Sequence, residues 1–325
     1  MMKIQLKFFL ILTLLSGTYI TLSSSSWLGV WMGLEMNMMS FVPFMITSKS
    51  SMEAGMKYFF IQSTTSLLLL FMSYSISVNY CVFVNLMMFV LMMKLGAAPF
   101  HFWLPMVVNS LEWNSIFFIL TFQKIAPLGV FSYLVSWLSL NQIYLFVFIS
   151  VWVGALGGWN ELLISKLLSF SSVHHVGWIL MTLKLGTKLW VSYLFVYSVI
   201  LLSLIKVLGY WQVSHLKNLV LKCHTFTALL FISVSFMSLG GLPPFTGFFP
   251  KLMVLLSLSS LNYFFSMMIL VMPSLLVLFF YLRVSIFVLL ILKANSFLGF
   301  KDKSDMVNSA FFLFNVCGLF LWFLL

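Results

Sequence analysis

Glu35, Lys94, Lys124 and Lys251 are the residues from which chemistry in this sequence must be argued, because each is an ionisable side chain inside a long apolar stretch. Glu35 stands in WMGLEMNMM, Lys94 in LMMKLGAAPFHFW, Lys124 in TFQKIAPLGV and Lys251 in SLGGLPPFTGFFPKLMVL. A charge at the centre of a membrane helix costs at least about 2.5 to 3.5 kcal/mol, so it persists for a reason. Two reasons compete: structural ion pairing, and a path for protons or ions. One acid with three lysines fits the path better. Removal from water favours the neutral amine of a lysine and a nearby carboxylate favours its ammonium, so a buried lysine can take up and release a proton. If Glu35 and Lys94 pair, making or breaking that pair alters the proton affinity of Lys94 and of the next lysine along the row.

Two of the lysines lie beside helix-breaking residues. Gly96 and Pro99 follow Lys94, while Gly240, Gly241, Pro243 and Pro244 precede Lys251. Proline removes a backbone donor and glycine loosens the helix, so unpaired backbone groups are exposed there and attract water and ions. Broken helices carrying charges build the midplane sites of many transporters; a simple bend is the alternative.

The elements that must position these residues follow from composition. Of the 325 residues 62% are hydrophobic and 7% charged, with a mean hydropathy of +1.13. This lies far outside the soluble range. Consecutive apolar residues, as from Ser66 to Phe71 and from Leu275 to Tyr281, exclude the alternation of a β-barrel. The expectation is an all-α polytopic membrane protein, a single transmembrane domain over residues 1–325 without a soluble domain. Spans are expected near 4–22, 26–46, 56–78, 81–104, 112–138, 141–159, 167–184, 189–211, 224–258, 262–290 and 308–325, about eleven helices at roughly 20 residues each. The ninth is too long for a simple crossing and carries the Gly240–Pro244 interruption. The basic, apolar start is expected to be a retained first helix rather than a cleaved signal.

Lys3, Lys7, Lys49, Lys57, Lys166, Lys217, Lys222, Lys293, Lys301 and Lys303 fall on one side of these spans and only Lys184 and Lys188 on the other. The positive-inside rule therefore puts the N-terminus inside and, with an odd number of spans, the C-terminus outside. The net charge of +11 is a topology signal and not a nucleic-acid footprint. Cys81, Cys223 and Cys317 show no metal-like spacing and read as packing residues. Gly29 with Gly33 and Gly154 with Gly158 give GxxxG spacings that permit close helix approach. Neither a P-loop, a GxGxxG, a CxxC cluster nor a paired-histidine haem arrangement is present, so no redox cofactor is expected in this chain.

KLGAAPFHFWLP, QKIAPLG, SFSSVHHVGW and GGLPPFTGFFPKL, in this order, resemble NADH dehydrogenase subunit 2 of mitochondrial respiratory complex I. WMGLEMNMMSFVP and MEAGMKYFFIQSTTS extend the resemblance over residues 27 to 255. It implies an antiporter-like fold with two discontinuous helices, near Gly96–Pro99 and Gly240–Pro244. It further implies a proton-translocating membrane-arm subunit in the mitochondrial inner membrane, with its N-terminus on the matrix side and its C-terminus in the intermembrane space. Glu35 would be the switch carboxylate, Lys94 its partner, Lys124 the central relay and Lys251 the terminal lysine. His175 matches the family histidine and could bridge Lys124 and Lys251 through water, or cap and cross-link helices; the second role is favoured for His174, which is outside the family pattern. His101 reads as structural at the break, with tuning of Lys94 as the alternative.

By the same resemblance, NADH, FMN, the iron–sulfur clusters and ubiquinone are handled in other subunits. Partners are the neighbouring membrane-arm subunits and the lipid bilayer, with cardiolipin a candidate; a cation/proton antiporter subunit is the runner-up and a passive scaffold the third reading. One departure stands out: the family's Glu after HFWLP is Met106 here, and Glu112 is the nearest substitute. Glu53, Glu112, Glu161, Asp302 and Asp305 read as solvated acids near loop ends.

Overall fold

Uninterrupted apolar sequence leaves the backbone one way to satisfy its own hydrogen bonds, the helix. In the computed structural model, which describes residues 2–46, 49–74, 80–222, 226–295 and 315, the described regular elements are helices apart from one isolated antiparallel bridge, Leu163 with His215. Five of them are long and apolar enough to cross a membrane: Gln5–Ser23, Trp113–Trp137, Asn141–Gly158, Thr187–Tyr210 and Phe264–Leu290. The chain divides into two compact units, Met1–Phe146 and Val147–Leu325.

The first unit holds α1 (Met2–Ser23), α2 (Trp27–Met45), α3 (Lys49–Tyr74), α4 (Tyr80–Leu95), α5 (Trp103–Val108), α6 (Trp113–Leu120) and α7 (Phe122–Leu134). Ser26 caps α2 by accepting from Gly29 N at 3.2 Å, turning the chain back so that α2 lies along α1. Glycine makes that approach close. A β-carbon on Gly33 would stand 2.7 Å from Thr21 N and 2.8 Å from Gly17 O, so main chain touches main chain. Of the Gly29–Gly33 pair, Gly33 serves the helix contact and Gly29 packs on the Ser24 turn. α3 lies against α2, α4 and α5, and α7 against α1, α2 and α4.

α8 (Leu140–Gly158) contains the boundary between the units. The second unit continues with α9 (Ile164–Leu185), α10 (Thr187–Tyr210), α11 (Leu216–Lys222), α12 (Phe226–Gly240), α13 (Phe248–Ser260) and α14 (Phe264–Asn295). α9 is buried from Ile164 to Leu183 apart from the half-buried Lys166 and Phe170, and Ser169, Ser171 and Ser172 return their hydroxyls to carbonyls three residues back, at 2.7 to 2.9 Å. Its start is pinned by Ile164 N donating to Ser214 O at 2.9 Å and Leu216 N to Leu162 O at 3.2 Å. Gly154 lets α8 meet α9, since a β-carbon there would stand 2.5 Å from His174 N. Gly158 packs instead on the Phe280 ring. With 32 residues, α14 is roughly 48 Å long, more than an apolar bilayer core needs.

As expected, the 81–104 and 224–258 spans are each two helices around a break, α13 supplying the second half of the longer one. Other spans differ from expectation. The 112–138 span is also divided, at Thr121 (φ −123, ψ −75), and ends in a 3-10 turn, Val135–Trp137. Thr121 Oγ1 donates to Phe117 O at 2.7 Å, and Pro127 has no N–H to offer the carbonyl of Gln123 four residues back. α11 is an additional short helix, and the 308–325 span lies outside the described residues except for Asn315.

The two breaks share one template. GAAPFHFWLP (96–105) and GLPPFTGFFP (241–250) have Gly, Pro, Phe and Pro at equal spacing, and both glycines take the left-handed region, Gly96 at φ +65 and Gly241 at φ +79. Both helices resume at the equivalent residue, Trp103 and Phe248.

Candidate functional site

Three of the four intramembrane charges lie in the first unit. Lys94 sits in the last turn of α4, where carbonyls lose their helical partners, and is 6% exposed. Its Nζ donates to Gln62 O on α3, and Gln62 Nε2 donates back to Lys94 O, both at 3.4 Å. Glu35 on α2 is half-buried and near enough to act on Lys94 electrostatically, while its Oε1 accepts from the hydroxyl of Ser66 on α3. Lys124, on the first turn of α7 just past the Thr121 division, is 2% exposed. Lys94 and Lys124 line one cavity of about 20 Å³, room for roughly one water. Its other polar walls are Asn37, Tyr58, Gln62 and Gln123. Tyr58 Oη donates to Gln123 Oε1 at 3.1 Å and Gln123 Nε2 to Asn37 Oδ1 at 3.0 Å.

Sequence reasoning missed these polar walls, although α3 carries a signal for them. Tyr58, Gln62 and Ser66 recur every four residues and therefore share one helix face. They reach, in order, the Gln123 amide, Lys94 and Glu35. Serving all three partners from one rigid stripe fixes where the acid and the first lysine stand.

In the second unit, Lys251 on α13 is 6% exposed and folds back over the break, its Nζ donating to Gly240 O at 2.8 Å and lying 6.0 Å from the centre of the Trp178 ring. The α12 carbonyl end, freed by the break, thus receives an ammonium. His174 is fully buried, with Nδ1 3.2 Å from Val151 O and Nε2 accepting from Trp178 Nε1 at 3.1 Å, which locks it between α8 and α9. His175 turns elsewhere: its Nδ1 is 2.9 Å from Tyr193 Oη, and it lines a cavity of about 10 Å³ with Tyr197, Ser238, Gly247 and Pro250 along the second break. The neighbouring histidines therefore face different partners.

His101, within the first break, has Nδ1 3.2 Å from Pro99 O. Met106 is exposed at the register position where Lys251 stands in the second break, and Glu112 is exposed ahead of α6, away from the lysine cavity. Glu53 is exposed on α3, and the Glu161 carbonyl accepts from Arg283 Nη2 at 3.2 Å; Asp302 and Asp305 lie outside the described residues. Two helical charges were passed over: Lys206, exposed one turn before α10 ends, and Arg283 on α14. His, Cys, Asp and Glu form no group of three able to hold a metal among the described residues.

The sequence profile of the NADH:quinone oxidoreductase/Mrp antiporter, TM family matches residues 24–277. The chain is 36% identical to NADH-ubiquinone oxidoreductase chain 2 of Anopheles gambiae over 98% of its length and 97% of the relative's, and 39% identical to that of Aedes aegypti over 88% and 86%. Among solved structures, a chain of respiratory complex I from Thermus thermophilus with bound aureothin superposes with a TM-score of 0.82 at 22% identity, covering 98% of this chain and 77% of that one. An all-helical membrane architecture with paired helix breaks and buried lysines, together with these similarities, establishes that the chain belongs to the NADH:quinone oxidoreductase/Mrp antiporter transmembrane family, among the relatives named NADH-ubiquinone oxidoreductase chain 2.

Proposed function

We propose that this chain is a proton-translocating subunit in the membrane arm of respiratory NADH:ubiquinone oxidoreductase, and that Glu35, Lys94, Lys124 and Lys251 carry the protons. The observation that supports this most is the polar cavity shared by Lys94 and Lys124, with Glu35 in electrostatic reach of Lys94. Two ammonium groups on one water-sized space repel each other, so protonating one favours releasing the other. A change at Glu35 biases that choice. Lys251, held at the carbonyl end of α12, is the terminal group, and His175 a candidate link on the lysine row.

In this reading the chain does no redox chemistry; NADH, FMN, iron–sulfur clusters and ubiquinone belong to other subunits, and the energy reaches this one as a bias on its charges. Moving one charge against a membrane potential costs about 2.3 kcal/mol per 100 mV, within reach of a two-state charge pair in a low-dielectric interior. The setting is the mitochondrial inner membrane, with the N-terminus on the matrix side, neighbouring membrane-arm subunits as partners, and cardiolipin among the surrounding lipids.

The test is native-gel separation of detergent-solubilised membranes with mass spectrometry of the NADH-oxidising band, followed by proton translocation of Lys94→Ala and Lys124→Ala complexes. Co-migration with a large NADH-oxidising assembly, and impaired translocation in both variants, are expected. The family's antiporter branch supplies the second reading, a cation/proton antiporter subunit. A small assembly without NADH oxidation, and transport that depends on sodium or potassium, would select it.

A further inference from the structure

Between Lys94 and Lys124 a proton has about 20 Å³ to cross and four polar side chains, Asn37, Tyr58, Gln62 and Gln123, that line it without being acids or bases of the usual kind. Amides do not carry protons readily, so Asn37, Gln62 and Gln123 cannot act as relay stations. What they do is orient. The phenolic hydrogen of Tyr58 is committed to Gln123 Oε1, and one amide hydrogen of Gln123 to Asn37 Oδ1. The chain of donors therefore runs in one sense, from α3 through α7 to α2, and leaves lone pairs of the Tyr58 oxygen and the second Nε2–H of Gln123 for whatever occupies the cavity. Tyr58 and Asn37 are each 2% exposed, so neither can exchange these partners for bulk water.

We propose that Gln123, held between Tyr58 and Asn37, is a positioning residue that fixes one bridging water in the cavity shared by Lys94 and Lys124 and so sets the rate of proton transfer between them. The proposal rests on the proton-relay reading of the two lysines. It adds a sequence meaning to the Gln that precedes Lys124: the division of the helix at Thr121 starts α7 at Phe122, so Gln123 and Lys124 both fall on its first turn and both line the cavity. A water held at one place can accept from the ammonium of one lysine and donate to the neutral amine of the other; a loosely held one must first be oriented. A misplacement of about 1 Å can cost up to about 100-fold in rate.

The experiment uses the intact NADH-oxidising complex in sealed membrane vesicles, with parent, Gln123→Met, Tyr58→Phe, Lys94→Ala and Lys124→Ala chains. Proton translocation per assembled complex and its solvent deuterium isotope effect are read together. Gln123→Met keeps the length of the side chain. Tyr58→Phe keeps the ring against Phe41 and Trp103, at 5.4 and 5.9 Å between centres, and deletes only the hydroxyl. Expected is about a 10-fold loss in each of these two variants, with a raised isotope effect, because proton transfer becomes limiting. If Gln123→Met does not assemble, Tyr58→Phe alone decides. Translocation within twofold of the parent and an unchanged isotope effect, while the lysine variants are impaired, would overturn the proposal and leave the relay reading standing. Unimpaired lysine variants would overturn both.

Discussion

Replacing Gly241 by alanine tests whether Lys251 works as a charge or merely fills the second break. At φ +79 any β-carbon is strained, at roughly 1 to 2 kcal/mol. The added atom would stand 3.0 Å from both Cδ and Nζ of Lys251, so the lysine must withdraw. Its Nζ donates to Gly240 O at 2.8 Å, and a hydrogen bond from a charged group contributes about 1.5 to 3 kcal/mol. At about 1.4 kcal/mol per factor of ten, losing it slows a dependent step roughly 10- to 100-fold. Gly186 is the internal control: its φ is +154, also unfavourable to a β-carbon, but that atom would meet nothing within 4 Å and so would touch no intramembrane charge. Native gels would score assembly, and proton uptake by sealed vesicles oxidising NADH would score translocation per assembled complex. Both alanine variants are expected to lower thermal stability alike, and only Gly241→Ala to lose translocation by about 10-fold or more. Equal losses per assembled complex, or full translocation in Gly241→Ala, would refute the reasoning.

Glu35→Ala and Lys94→Ala are each expected to impair proton-coupled turnover with assembly near the parent level; native gels showing loss of the whole complex would make the pair structural. Gly33→Ala should push α1 from α2, since its β-carbon meets main-chain atoms of Thr21 and Gly17 that cannot yield, at a cost of about 1 to 3 kcal/mol; thermal unfolding of the complex checks this, and an unchanged midpoint counts against it. His174→Ala removes the bonds to Val151 O and Trp178 and should cost about 1 to 3 kcal/mol, whereas His175→Ala spares them; a larger loss of assembled complex in His175→Ala would contradict the assignment.

Much of the architecture was legible because membrane helices announce themselves by length and apolarity. The breaks at Gly96–Pro99 and Gly240–Pro244 were legible for the same reason, glycine and proline having few uses inside a helix. The division at Thr121 was not, because one proline in a helix usually bends it; here Thr121 also takes the Phe117 carbonyl, and the two effects add. Lys206 and Arg283 were missed because apolar neighbours concealed them; Lys206 sits one turn before α10 ends, and Arg283, in the interior of α14, donates to the Glu161 carbonyl, away from the site. The four site charges were visible one by one. The polar surroundings of Lys94 and Glu35 were not: they depend on the Tyr58, Gln62 and Ser66 stripe, whose polarity is too mild to register against a serine-rich sequence.

The two breaks share a template, yet the lysines beside them stand at unlike positions in it. Lys94 stands two residues before its left-handed glycine, where Leu239 stands in the second break; Lys251 stands ten residues after its glycine, where Met106 stands in the first. Register therefore does not unite them. What they share is a backbone carbonyl as partner: Lys94 Nζ donates to Gln62 O on α3, and Lys251 Nζ reaches back to Gly240 O at the end of α12. The end of α12 carries the negative pole of a half-helix, so it stabilises an ammonium at a depth where water cannot. The second break is thus a cation-holding device, whereas Lys94 beside the first break is received by the neighbouring helix α3. The same contrast is visible at Met106, an exposed apolar side chain at the position in the first break where the second has Lys251.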